Sequence, residues 1–186
     1  TNLAALVGNV VSEFVAAAEH KRIRLSCRLP EHISATIDAG KVERVVSNIL
    51  SNAVKFTPAA GEINVELAAD TPQGTATLSI TNTGKGIAES DLPHIFDRFY
   101  QPQHSEGGTG IGLALAKAFV DMHGGHISVS SKAEGPTVFT VHLPLNVQAE
   151  TPTSSAEPPP IVESQAFILP ATHTTTKADA PQLQSI

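Results

Sequence analysis

The order of elements in residues 1–145 predicts an α/β protein: a two-layer sandwich with a mixed sheet of about five strands or more and three main helices on one face. Three observations carry this. Three stretches repeat apolar residues at spacings of three and four, the signature of an amphipathic helix. Strand-like stretches outnumber the helical ones. Those strands come in hairpin-like pairs, so neighbours run antiparallel and the helices are left to cover one face.

The elements follow in order. Leu3, Leu6, Val7, Val10, Val11, Phe14, Val15 and Ala18 mark a first helix. Residues 23–29 and 35–37 read as short strands. Val42, Val45, Val46, Ile49, Leu50, Ala53 and Val54 repeat the helical spacing, and Pro58 and Gly61 end that helix. Ile63-Val65-Leu67 and Ala76-Leu78-Ile80 alternate as strands around a Gln73-Gly74 turn. Residues 83–109 are irregular. A third helix is expected from about residue 110 to 123, closed by Gly124-Gly125. Strands at 126–131 and 137–143 complete the pattern α-β-β-α-β-β-loop-α-β-β.

Composition changes after Leu145. Residues 146–186 are rich in Thr, Ser, Pro, Ala and Gln, include Pro158-Pro159-Pro160, and bury too little apolar surface to offset their ordering entropy. They read as a flexible linker or tail. Twelve Lys and Arg against 18 Asp and Glu give a net charge of −6, which argues against nucleic-acid binding. The single cysteine, Cys27, reads as a small strand-borne hydrophobe. No apolar run approaches the ~18 residues that span a bilayer, so no direct membrane insertion is expected. The chain starts at Thr1 inside what reads as a helix, as an excised piece of a longer protein would.

On the second helix each residue advances about 100°, so with Val42 at zero the apolar residues occupy an arc from about 300° to 120°. Lys55, Asn48 and Asn52 fall near 220°, 240° and 280°, a polar stripe bordering the buried face. Asn disfavours helix interiors because its side chain competes for backbone bonds. The stripe reads either as a solvated face or as a site where an Asn carbonyl ligates Mg²⁺ and Lys55 neutralises phosphate. Gly84 and Gly86 follow a strand, as a tight turn or as a place where backbone approaches a flat ligand. Gly108, Gly110 and Gly112 lead into a helix N-terminus, where free N–H groups and the helix dipole suit phosphate.

Together these motifs resemble the catalytic and ATP-binding domain (HATPase_c) of sensor histidine kinases, in the GHKL superfamily with its Bergerat fold. Asn48 to Thr57 resembles the N box, Asn82 to Ile87 the G1 box, Ile95 to Tyr100 the F box, and Gly108 to Leu113 the G2 box. Phe99-Tyr100-Gln101 is similar to hybrid two-component proteins. The resemblance implies ATP and Mg²⁺ as ligands. It implies Asn52 as the metal ligand, Asn48 ordering metal-bound water or phosphate, Lys55 on phosphate, and Phe56 lining the adenine pocket. Asn82, Gly84, Gly86 and Ile87 would meet the base, residues 88–109 would form a lid, and the backbone of Gly108, Thr109, Gly110, Ile111, Gly112 and Leu113 would cradle the phosphates. Phe96 and Phe99 would pack the lid, and Thr137 would reach adenine through water. Asn48, Asn52 and Lys55 are thus the catalytic candidates.

Two departures from the pattern bear on function. Hydrolytic relatives place Glu where this chain has Asn48, and Asn cannot act as a general base. That implies phosphoryl transfer rather than hydrolysis. The G1 box opens with Asn82 in place of the family's Asp. Its carbonyl still accepts a bond from the adenine amino group, but a neutral bond is weaker than a charge-assisted one. Weaker ATP binding is the expectation, with relaxed selectivity toward guanine or a degenerate docking module as alternatives. None of the eight histidines has the context of a phosphoacceptor. The resemblance therefore implies a His-containing dimerisation domain upstream, a response-regulator receiver domain downstream, and a cytoplasmic setting.

Overall fold

Helix α1 spans Leu3–His20, and Asn2 caps it by accepting bonds from the Ala4 and Ala5 amides with its side-chain oxygen. The same oxygen accepts from Ile33 N–H at 3.3 Å, so one asparagine ties the helix start to the loop after the first strand. The structure is a computed structural model that describes residues 1–102 and 109–145. Strand β1 (Arg24–Arg28), helix α2 (Ala39–Phe56), strands β2 (Glu62–Asp70) and β3 (Thr75–Asn82), helix α3 (Gly112–Met122), and strands β4 (His126–Ser131) and β5 (Thr137–Pro144) follow.

The strands form one sheet in the order β1-β2-β3-β5-β4. β1 and β2 run parallel with α2 between them in sequence, and the remaining pairs are antiparallel, so the sheet is mixed. Alternation sorts the side chains. Ile63, Val65 and Leu67, Ala76, Leu78 and Ile80, and Phe139, Val141 and Leu143 are buried on one face. In register with them across the sheet, the intervening positions form a polar face: Asn64 lies opposite Thr81, Glu66 opposite Ser79, and Thr77 opposite His142. The helices cover the apolar face, with α2 packed against both α1 and α3. Val46, Ile49 and Leu50 of α2 sit at the centre of the core.

The expected two-layer arrangement is therefore the observed one, with two corrections. Residues 35–37 are not a strand. Their neighbour Ser34 makes a single bridge to Asn2, while Ala35 N–H and Thr36 N–H donate to Thr1 and Leu145 carbonyls, so the segment has no continuous ladder. The third helix starts at Gly112, two residues later than expected, because Gly110 has φ +66°. Cys27 lies on β1 as expected but is exposed, so it does not act as a packing residue. The tail at 146–186 lies outside the described residues.

The end of the apolar face positions the site. In register across β3, β5 and β4, the row after Ile80 and Phe139 is Asn82, Thr137 and Ser131. The helix-covered face thus changes from hydrocarbon to polar groups at one edge, beside the C-terminal half of α2.

Candidate functional site

Asn48 and Asn52 are half-buried on α2, and Lys55 is exposed at the end of the helix. The Asn48 side-chain nitrogen is buried and has no partner among the described residues. An unpaired buried donor costs about 1–3 kcal/mol, which a ligand acceptor would recover. A Cβ built on Gly112 would stand 3.4 Å from Asn48 Oδ1, so the first residue of α3 lies directly over this amide. The Asn52 side chain carries no hydrogen bond to a described residue, which leaves Oδ1 available as a hard oxygen donor. Lys55 Nζ sits 4.7 Å from the Phe56 ring centroid, and Phe56 itself is 49% exposed.

The N-terminus of α3 is uncapped by any side chain, and its first turn holds no acidic residue. Among the described residues nothing accepts from its leading N–H groups, the arrangement for an anion that glycines before a helix suggested. Gly110 and Phe99 both adopt positive φ, and Phe99 N–H donates to Gly110 O at 2.8 Å. Phe99 is 71% exposed, whereas Phe96 meets Phe139 edge to face at 6.4 Å and packs against the core. The middle of the expected lid, residues 103–108, lies outside the described residues. Thr109 and Ile111 are exposed and Leu113 half-buried around the same helix start. Gly108 lies outside the described residues.

Asn82 and Thr137 form the opposite wall, each 6% exposed. Asn82 Nδ2 donates to Thr83 O at 3.2 Å. The turn that follows is held by protein backbone. A Cβ on Gly84 would lie 2.8 Å from the Phe56 carbonyl, and one on Gly86, at φ +69°, would lie 1.8 Å from the Lys132 carbonyl. The sequence left a tight turn and a ligand as alternative reasons for these glycines; their missing side chains admit the end of α2 and the β4–β5 hairpin. Ile87 N–H donates to Ser131 Oγ at 2.9 Å, and Glu134 N–H to Lys85 O at 2.7 Å, which fastens the turn to that hairpin.

Residues 37–147 match the family described as "Histidine kinase-, DNA gyrase B-, and HSP90-like ATPase". The chain belongs to this ATPase family. Sensor histidine kinase TmoS of Ectopseudomonas mendocina is 37% identical to it over 193 residues, covering 99% of this chain and 20% of TmoS. The chain thus spans about a fifth of the length of that curated relative. Among solved structures, a mycobacterial sensor histidine kinase, MprB, aligns with a TM-score of 0.66 at 26% identity, covering 77% of this chain and 95% of that one. Full-length ShkA in complex with AMPPNP aligns with the same score and identity, covering 77% of this chain and 30% of that one.

Two close approaches link the sequence-derived positions: the start of α3 at Gly112 lies against Asn48, and Gly84 after β3 lies against the Phe56 carbonyl at the end of α2. Sequence reasoning missed Lys21 and Ser131, and read His123 only as a neighbour of the α3 cap. Lys21 Nζ donates to the Val54, Lys55 and Thr57 carbonyls at 2.7, 3.0 and 3.1 Å, which fixes the end of α2. His123 closes α3 and accepts from Asp38 N–H through Nε2 at 3.0 Å, joining α3 to the start of α2. Ser131 was read only as the end of a strand. Its polar side chain falls on the same alternating face as Ile127 and Val129, the one signal in the sequence that marks it.

Proposed function

We propose that this chain is the ATP-binding catalytic domain of a sensor histidine kinase, which binds Mg-ATP and donates the γ-phosphoryl group to a histidine on a separate dimerisation domain. The observation that carries the reading is the unpaired, buried Asn48 amide beside the uncapped start of α3. Polar side chain and helix N-terminus converge where phosphates of a nucleotide would lie. The two-component relatives support it, with ShkA solved in complex with AMPPNP.

The donor set fits Mg²⁺. Among the described residues no cluster of three His, Cys, Asp or Glu could hold a metal, so an all-protein cage is not the mode. Mg²⁺ commonly takes one or two protein oxygens and completes its shell with water and phosphate oxygens. Asn52 Oδ1 is the oxygen that would hold it. Held there, Mg²⁺ would supply positive charge against the phosphate groups. The chain's own residues position: Lys55 adds a cation at the α2 end, the α3 amides orient the phosphates, and Asn48 donates into the site. Asn48 cannot deprotonate water, which suits transfer over hydrolysis.

Asn82 explains how a neutral residue replaces the family's Asp. One of its two N–H donors goes to Thr83 O, and Oδ1 would serve as the acceptor for a base amino group. Adenine presents a donor there; guanine presents an acceptor. The dimerisation domain upstream, a receiver domain downstream and a cytoplasmic working place complete the proposal. No helix among the described residues is long and apolar enough to cross a membrane.

Calorimetric titration with ATP and Mg²⁺ tests the reading. The chain should bind in the micromolar to submillimolar range, about −5 to −8 kcal/mol. Asn82→Asp should tighten binding and Asn82→Ala should weaken it. No binding by the parent chain, with or without Asn82→Asp, would overturn the nucleotide site.

A further inference from the structure

We propose that His126 and His142 form a binding site for a divalent transition-metal ion of the class that seeks imidazole (Cu²⁺, Ni²⁺ or Zn²⁺). The site lies on the open face of the sheet, and Thr77 is its positioning residue. It stands apart from the nucleotide reading and does not depend on it.

Register brings the two histidines together. His126 on β4 pairs with His142 on β5, and His142 pairs in turn with Thr77 on β3. Directly paired residues share a face, with Cβ atoms about 4.5–5.5 Å apart. Their chain neighbours Ile127, Val141 and Leu143 are buried on the helix-covered face. Alternation therefore puts His126, His142 and Thr77 on the other face, where both imidazoles are exposed. β4 is the last strand of the sheet, so beyond His126 the row is open.

Ring geometry aims the pair. His142 Nδ1 and Thr77 Oγ1 are 3.0 Å apart, which turns the Nδ1 edge of the imidazole toward β3. Nε2 lies on the other edge of the ring, next to Cδ2, and so faces β4 and His126. The Thr77 contact fixes this orientation whichever of the two atoms donates. A metal ion on Nε2 selects the tautomer in which Nδ1–H donates and Thr77 accepts, the outer partner that metal-bound histidines usually carry. Among the described residues, His142 Nε2 and both ring nitrogens of His126 make no hydrogen bond. His123 differs: its Nδ1 lies 2.7 Å from Phe119 O and its Nε2 accepts from Asp38 N–H, so it has no nitrogen to give. No group of three His, Cys, Asp or Glu among the described residues could hold a metal, so the chain supplies two nitrogens and water completes the shell. Imidazole suits Cu²⁺, Ni²⁺ and Zn²⁺, whereas Mg²⁺ takes oxygen. The row of Thr77, His142 and His126 stands five positions along each strand from the row of Asn82, Thr137 and Ser131, about 17 Å away and on the opposite face.

Calorimetric titration of the chain with NiCl₂, in excess Mg²⁺ and without nucleotide, tests the site. Ni²⁺ is the probe because the exposed Cys27 thiol, which reduces Cu²⁺, leaves it unchanged. One equivalent should bind, and the amide NMR signals beside His126 and His142 should broaden first, since the bound ion is paramagnetic. His126→Gln and His142→Gln should each weaken this binding by at least about tenfold. His94→Gln should leave it intact, although His94 has a carboxylate partner in Asp97. Thr77→Val should weaken it by about tenfold, and Thr77→Ser, which keeps the hydroxyl, should retain it. Both histidines are exposed, so the urea midpoints of their variants without metal should match the parent's, which separates lost ligation from lost folding. Should His142→Gln lower the midpoint, His126→Gln at the free edge of the sheet decides the matter. Absence of Ni²⁺ binding, binding that survives either histidine variant, or binding that His94→Gln removes overturns the site. An unchanged affinity in Thr77→Val overturns the role given to Thr77.

Discussion

Asn82 on β3 and Thr137 on β5 stand directly opposite each other in the ladder, both buried, with the Asn82 amide nitrogen committed to Thr83 O. On the proposed reading, Oδ1 of the same side chain would accept from a base amino group. Adenine should therefore be preferred over guanine, because guanine O6 would oppose Oδ1 and leave two acceptors face to face. A mispaired buried polar group costs about 1–3 kcal/mol, so GTP should bind at least about fivefold more weakly than ATP. Competition titration checks this; equal affinities would show that the Asn82 amide turns over to serve guanine.

Gly86 combines φ +69° with a Lys132 carbonyl 1.8 Å from where a Cβ would be. Gly74 has a similar φ of +62° but nothing within 4 Å. Gly86→Ala carries both backbone strain and a backbone clash, and should destabilise by about 3 kcal/mol or more. Gly74→Ala carries the strain alone and should cost about 1 kcal/mol. Urea midpoints of the two variants separate the contributions.

Lys21 reaches 33 to 36 residues along the chain to bond three carbonyls at the end of α2. The ammonium complements the negative end of the helix dipole as well. Lys21→Met keeps the side chain's length and removes all three bonds. The half-buried position makes a loss of about 1–2 kcal/mol the expected outcome in urea denaturation. Because Lys55 and Phe56 lie on the released turn, ATP affinity should fall in parallel.

Asp38 caps α2, and hydrogen bonds from the Lys41 side chain and then the Lys41 backbone amide hold its carboxyl below the ordinary carboxylate value. The charged form is favoured by folding. Its stabilisation is therefore complete above the unfolded pKa and is lost as pH falls through the lower folded value. Asp38→Asn retains a good cap without the charge. The parent chain should be the more stable at neutral pH, and the difference in thermal midpoint should vanish as pH falls below about 4. A difference that persists in acid would place the effect in packing rather than ionisation.

Much of this protein was legible as pattern. The apolar spacing of α1 and α2, the alternation in β2, β3 and β5, and the Gln73-Gly74 turn all correspond to observed elements. Residues 35–37 show where pattern runs out: they look strand-like, yet their amides are shared between Thr1 and Leu145, two partners at opposite ends of the domain. The polar stripe of Asn48, Asn52 and Lys55 was readable because helical geometry is local. The positive φ of Phe99, beside that of Gly110, was not legible, because nothing in its own side chain announces it.

By itself, the sequence determined which residues form helices and strands, which face of each is apolar, and which polar residues border those faces. These properties follow from spacings of a few residues. Only the tertiary structure decided that β5 inserts between β3 and β4, and hence that Asn82, Thr137 and Ser131 form one row. Only it revealed that Lys21 clamps α2 and that Gly86 yields to a carbonyl of a distant hairpin. Alternation specifies the face a side chain occupies but not the strand that lies beside it. Neighbours are chosen by hydrogen bonds and packing between segments far apart in the chain, and that choice is made when the whole core closes.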